Sequence, residues 1–210
     1  QRGCIRGCRF CQAGMLYRPT RERDVEFLKK KAVEMLEATG HEEISLSSLS
    51  SSDYSQLPEL INFLMEECGE RGVNISLPSL RIDAFSLDVM KKVQDIKKSS
   101  LTFAPEAGSQ RLRDVINKGL TEEVILEGAG KAFEGGWSKV KLYFMLGLPT
   151  ETEEDIKGIA HLCEKIAKRY YEIPKEQRNG KCQITASTSF FVPKPFTPFQ
   201  WAPMCREEEF

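Results

Sequence analysis

Apolar residues return along this chain in two alternating rhythms. Over residues 22–39, Val25, Leu28, Ala32, Met35 and Leu36 recur every three or four positions, which predicts an amphipathic helix with Lys29, Lys30 and Lys31 on its wet face. Residues 43–49 are short and predict a strand. Leu57, Leu60, Ile61, Leu64 and Cys68 mark the next helix, ended by a turn around Gly69 and Gly72. A strand over 73–78 follows, then a helix capped by Ser86 with Val89, Met90, Val93 and Ile96 inward. The strand predicted over 99–104 leads into a helical region in two pieces. Leu112, Val115 and Ile116 serve the first piece, and Thr121 caps the second, which runs towards Gly135 and Gly136. Residues 139–145 predict a strong strand. Thr152 then opens a long helix through a Thr-x-x-Asp start, with Ile156, Ile159, Ala160, Cys163, Ile166 and Tyr170 on one face. A polar connection over 173–181 precedes a last strand over 183–192, which Pro193-Lys194-Pro195 stops. Five strands alternating with amphipathic helices predict a parallel α/β sheet, and no linker or further repeat interrupts residues 1–210 as one domain.

Composition narrows this only a little. With 210 residues and 40% hydrophobic content, the chain can bury the core of a full domain without staples. Thirty basic residues against 31 acidic ones give no global field that would advertise nucleic acid or a membrane. The bias is local: Arg2, Arg6, Arg9, Arg18, Arg21 and Arg23 crowd the beginning, either as a basic rim to a site or as solvated side chains. No apolar run approaches the roughly 20 residues of a membrane span. Seven cysteines without a secretory leader imply a reducing, cytoplasmic setting. The sequence starts at Gln1, three residues before the first candidate ligand, and reads as a fragment of a longer chain.

The candidate chemistry begins at once. Cys4, Cys8 and Cys11 stand at Cys-x3-Cys-x2-Cys within residues 3–14, with Gly3, Gly7, Gly14 and the aromatic Phe10 among them. A structural zinc or a ferredoxin cluster normally takes four protein ligands. Three thiolates can hold a 4Fe–4S cluster with one iron open to another ligand. Zinc could recruit Cys68, Cys163, Cys182 or Cys205 as a fourth donor, but none of these stands in a second paired motif, and they read as buried hydrophobes. The motif, with Phe10 just before the last cysteine, resembles the cluster loop of radical S-adenosylmethionine (SAM) enzymes. That resemblance implies a (β/α)6-type parallel partial TIM barrel whose first strand would lie before Gln1. It also implies a 4Fe–4S cluster that reductively cleaves SAM to a 5′-deoxyadenosyl radical, which takes hydrogen from a substrate. A flavodoxin- or ferredoxin-type protein would supply the electron. The whole string is most similar to the cobalamin-associated branch, which implies cobalamin held by a domain outside residues 1–210 and a methyl transfer or a rearrangement.

Barrel enzymes place their chemistry on the loops after the strands, and the resemblance carries over to four such places. In residues 47–54, Ser47 and Ser48 fill the first two positions of a family Gly-Gly-Glu that receives the SAM ammonium; the glutamate has no counterpart. Glu106 and Lys118 match, in type and spacing, an acidic residue for the ribose hydroxyls and a basic residue for the SAM carboxylate, although the commoner basic residue is arginine. Met145 and Gly147 hold the places that receive adenine. Phe190–Trp201, aromatics between prolines, resembles an end-of-core segment that would wall the site or pack on another domain. Arg81 and Asp83 sit near a strand end as a buried pair or a substrate contact. Tyr17, Tyr54, Tyr143 and Cys205 are candidate hydrogen donors. Two other readings stand beside this one: a methylthiotransferase-like tRNA-modifying enzyme, and a non-enzyme, either an iron–sulfur electron carrier or a zinc-stabilised binding module. Nucleic acid is disfavoured weakly by the net charge of −1.

Overall fold

The computed structural model describes residues 1–76 and 101–206. In chain order these form α1 (Ala13–Leu16), α2 (Val25–Thr39), β1 (Glu43–Ser45), α3 (Leu57–Arg71), β2 (Asn74–Ser76), β3 (Leu101–Glu106), α4 (Gln110–Val115), α5 (Glu122–Glu134), β4 (Lys139–Leu146), α6 (Glu153–Tyr171) and β5 (Gln183–Phe190). The expected helix capped by Ser86, and with it Arg81 and Asp83, lies outside the described residues.

Apart from an isolated antiparallel bridge between Arg2 and Arg21, all described strand pairing is parallel, in two sheets. One joins β1 to β2, with Ile44 opposite Ile75; the other has the order β3-β4-β5, with Val140 of β4 between Leu101 and Ile184. Alternation of side chains along each strand sorts the residues by face. Leu101 and Phe103 of β3 and Val140, Leu142 and Phe144 of β4 are buried against Ile125, Ala129 and Phe133 of α5 and Leu162, Ile166 and Tyr170 of α6. Phe133 and Tyr170 meet edge to face at 5.1 Å. A second core fills the space between α2, α3 and the β1-β2 ladder, with Ile61, Leu64 and Cys68 fully buried. A third, smaller one gathers Ala107, Leu112, Ile116, Leu148 and Phe191 beside the cysteine loop.

The helix ends follow local chemistry. Asp24, Ser109, Thr121 and Thr152 each accept a backbone N–H as N-caps, and Thr152 with Asp155 closes a full capping box. Gly40 and Gly72 end α2 and α3 in the left-handed conformation; Gly69, expected in that turn, lies inside α3. The inward face of α6 also differs from the expected one. Ile156 is 45% exposed, while Asp155 and Leu162 are buried with Ile166 and Tyr170. The helix is rotated because Asp155, held by its cap and by neighbours on α4, takes an inward position that hydrophobicity alone assigns to Ile156.

Candidate functional site

Residues 3–14 fold tightly over the start of α1. A β-carbon at Gly14 would fall 2.6 Å from the Arg6 carbonyl oxygen, so only glycine allows this approach. Cys8 is buried; Cys4 and Cys11 are partly so. The Cys11 N–H donates to the Cys8 carbonyl at 3.1 Å and the Arg6 N–H points to Cys4 Sγ at 3.5 Å. Two distant segments strap the loop. From the end of α4, the Ile116 carbonyl accepts from Arg9 N–H at 2.9 Å, the Val115 carbonyl accepts from the Arg9 guanidinium at 2.6 Å, and Asn117 Nδ2 donates to the Gly7 carbonyl at 2.8 Å. From the aromatic–proline arm, the Pro195 carbonyl accepts from Gln12 Nε2 at 3.1 Å, and Phe199 N–H donates to the Arg9 carbonyl at 3.3 Å.

The three cysteines line one side of a cavity of about 320 Å³. Thr102, Ala104 and Glu106, on the face of β3 turned away from the α5–α6 core, line it together with Lys118 and Tyr143. The β3-β4 register slips between Phe103 and Glu106, where Ala104 and Pro105 stand against the single residue Tyr143. Such a bulge bends a strand and re-aims its last side chain. Glu106 itself adopts φ 69°, uncommon for a residue with a side chain. Its carboxylate accepts from Lys118 Nζ at 3.1 Å, and Lys118, only 9% exposed, also lies 6.0 Å from the centre of the Phe10 ring. A cation and an anion thus share the wall that faces the cysteines.

What fixes this wall is a network that the sequence alone does not reveal. Arg113 is fully buried and donates to the carbonyls of Ala107, Gly108 and Leu120 and to Gln110 Oε1. The turn after Glu106 rests on α6: a β-carbon at Gly108 would collide with the backbone of Gly158 and Ile159. Ser109 and Arg111 both donate to the Asp155 carboxylate, which also accepts from Thr152 N–H at 2.8 Å. Burial opposes the charge on Asp155, but these donors together outweigh it and hold its pKa down at about 2.

Of the sequence-predicted site residues, Cys4, Cys8, Cys11, Phe10, Glu106 and Lys118 come together on this one cavity. Ser47 and Ser48 do not line it. They face an apolar cavity of about 290 Å³ between α2, β1 and α3, and Leu49 and Ser50 reach the cysteine cavity instead. Met145 packs in the small core with Phe10, and Gly147 sits against Cys205 while its N–H donates to Glu151 Oε2 at 2.6 Å. Among the candidate hydrogen donors, Tyr143 lines the cavity; Tyr54 is buried elsewhere and donates to the Arg23 carbonyl at 2.9 Å. Arg6, also on the cavity, is paired at 3.1 Å with Asp53 of the 47–54 stretch. Period-two alternation from Glu106 back along β3 would have marked Ala104 and Thr102 as lining residues. Cys68 is buried in the α2–α3 core; Cys163 and Cys182 pack partly buried against the α5–α6 core. Burial raises all three thiols and so disfavours the thiolate a metal needs.

Three thiols, with no fourth cysteine among the described residues lining the cavity, face a cation and an anion there and suit a 4Fe–4S cluster that leaves one iron to an outside ligand. Among the described residues no three His, Cys, Asp or Glu side chains stand close enough to share one metal ion; a four-iron cluster asks less, because each thiolate binds a different iron.

An uncharacterized protein of Methanocaldococcus jannaschii, MJ0966, is 40% identical over 199 residues, covering 95% of this chain and 41% of that protein. A putative methylthiotransferase of the same organism, MJ0865, is 28% identical over 163 residues, 73% of this chain and 35% of its own length. The chain therefore spans less than half of either relative. Among solved structures, coproporphyrinogen III oxidase (HemN) from Escherichia coli, a radical SAM enzyme, superposes over 100% of this chain and 48% of its own, with a TM-score of 0.63 at 16% identity. Its likeness establishes the fold, an α/β partial barrel of parallel strands. Residues 1–163, which contain the cysteine loop and the Glu106–Lys118 wall, match the Radical SAM superfamily, and the chain belongs to that family of enzymes.

Proposed function

We propose that Cys4, Cys8 and Cys11 hold a 4Fe–4S cluster and that the cavity they line binds SAM for reductive cleavage. The observation that carries this reading is the convergence of all three cysteines with Glu106 and Lys118 on one cavity of about 320 Å³. A cluster held by Cys4, Cys8 and Cys11 would supply the one electron needed to cleave the S–C5′ bond of SAM to methionine and a 5′-deoxyadenosyl radical, which would take a hydrogen atom from the substrate. Lys118 offers a point charge to the SAM carboxylate, without the bidentate clamp of an arginine. Glu106 accepts from the ribose hydroxyls, a carboxylate having room for donors beside Lys118. The roles of Met145 and Gly147 towards adenine, and of Ser47 and Ser48 towards the ammonium, rest on the family resemblance; Leu49 and Ser50 are nearer candidates for the latter. Phe10 lines the same cavity, its ring 6.0 Å from Lys118 Nζ, and is read as a cofactor contact. A flavodoxin- or ferredoxin-type reductant and a cytoplasmic, reducing setting belong to the same reading, as does residues 1–210 forming one core domain. Among the described residues no helix is long and apolar enough to cross a membrane.

The test is to reconstitute the chain anaerobically, reduce it with dithionite and assay SAM turnover. Formation of 5′-deoxyadenosine and methionine that disappears in Cys8→Ala is the expected result. Absence of cleavage by an iron-replete protein would sink the reading.

A second reading concerns the substrate. The similarity to a putative methylthiotransferase favours thiomethylation, with a tRNA as the acceptor class considered from the sequence. Cobalamin-dependent methyl transfer or rearrangement is the other finer proposal; its cofactor would be held outside residues 1–210, and no lining residue of the cavity depends on it.

A further inference from the structure

Arg113 presents a charge with 0% exposure whose four hydrogen-bond acceptors are all neutral. An apolar residue of similar volume would fill such a place at lower cost, so the guanidinium must secure something else. Its acceptors say what. Ala107 and Gly108, which accept at 3.1 and 3.0 Å, directly follow Glu106; Leu120, which accepts at 3.1 Å, stands two residues after Lys118. The Lys118 N–H in turn donates to the carbonyl of Arg113 itself at 2.9 Å. Gln110, the remaining acceptor, also donates to the Leu120 carbonyl and accepts from Glu122 N–H. One planar fork therefore ties together the two ends of the segment that carries the cavity's anion and its cation. It does so from behind, since Arg113 does not line the cavity.

We propose that Arg113 is a positioning residue for the Glu106–Lys118 pair, setting where the pair stands on the cavity wall and thereby the affinity for SAM. The inference rests on the reading of that pair as part of the SAM site. A lysine at 113 keeps the charge but replaces five donors in a rigid fork by three on a flexible stem, and cannot span acceptors on both ends of the segment.

Equilibrium dialysis of labelled SAM against the full, cluster-reconstituted chain tests this, with iron content measured on the same samples. Arg113→Lys weakens SAM binding roughly tenfold with iron unchanged. Because Arg113 acts through the pair, Arg113→Lys costs less affinity in the Lys118→Ala background than in the wild type, a coupling that general loosening of the fold would not produce. Unchanged affinity in Arg113→Lys, or losses that simply add in the double variant, overturns the positioning role while leaving the pair's own role intact. Wild-type affinity in Lys118→Ala instead removes the reading of the pair, and the inference with it. Should Arg113→Lys not fold, Gln110→Ala removes one acceptor of the same fork. A loss of about threefold that is smaller in the Lys118→Ala background supports the proposal, and unchanged affinity or an equal loss in both backgrounds overturns it.

Discussion

At the scale of single residues, the cavity wall combines strain, charge and burial. Glu106 accepts a left-handed backbone at the end of a bulged strand, and such outliers persist where the surroundings over-determine them. Its partner Lys118 is nearly buried, so truncation removes a charge-assisted bond rather than a solvated one. Lys118→Ala is expected to weaken SAM binding by about 1.5–3 kcal/mol with normal iron content, as read by equilibrium dialysis. Asp155 supports the wall from α6. Its carboxylate titrates at about 2 in the fold against an ordinary 3.8, so its stabilisation is complete above pH 4 and is lost as the pH falls from about 4 to 2. Asp155→Asn should cost of order 1–2 kcal/mol at neutral pH, allowing for solvent screening of its half-exposed partner Arg111. Denaturant titrations should show that deficit shrinking towards zero near pH 2; a deficit independent of pH would contradict the ionised role. Neither Arg113 nor Asp155 was legible as a functional support in the sequence: Arg113 acts through backbone carbonyls that the turn gathers, and Asp155 through the Ser109 and Arg111 side chains, which come near only in the fold. Cys4, Cys8 and Cys11 stood out by spacing and residue type, and Glu106 and Lys118 by the family resemblance; the fold brings all five onto one cavity.

At the scale of elements, the site is a matter of how α4 and the arm close on the cysteine loop. Helix starts were readable because a cap is local: Thr121 and Thr152 need only their next few residues. The face of α6 was not, since Asp155 is drawn inward by α4, a partner distant in sequence. The stretch 47–50 was less legible for a similar reason: three serines around the single Leu49 give no hydrophobic period by which to tell which side chain faces which cavity. Two substitutions probe the closure. Gly108→Ala puts a β-carbon into the backbone of α6 and should destabilise the chain by about 1–3 kcal/mol, measured by thermal or denaturant unfolding. Phe191 is 1% exposed and meets Phe199 edge to face at 6.0 Å, beside Ile116 and the arm that holds the loop. Phe191→Ala should cost about 3–5 kcal/mol and release iron faster than the wild type under a chelator. Iron retention equal to the wild type in a folded Phe191→Ala would mean that the arm does not secure the loop.

At the scale of the whole molecule, the alternation of strands and helices foretold a parallel α/β architecture, and both ladders follow it. Strand boundaries were the weaker part: β1 is a three-residue piece where a strand over 43–49 was expected, because pairing with a neighbour, which no single segment encodes, decides where a strand ends. The parallel sheet puts its apolar side chains towards the helices and leaves Thr102, Ala104, Glu106 and Tyr143 to line a cavity closed by the cysteine loop. A family of enzymes built on three cysteines and an open iron should bind SAM at the metal itself. The measurement that meets this most directly is electron paramagnetic resonance of the reconstituted, reduced chain, titrated with SAM. About four irons per chain are expected, unchanged when Cys68, Cys163, Cys182 or Cys205 is replaced by alanine, with a spectrum that shifts on adding SAM. A spectrum indifferent to SAM, or iron lost on replacing any one of those four cysteines, would contradict a three-cysteine site open to SAM.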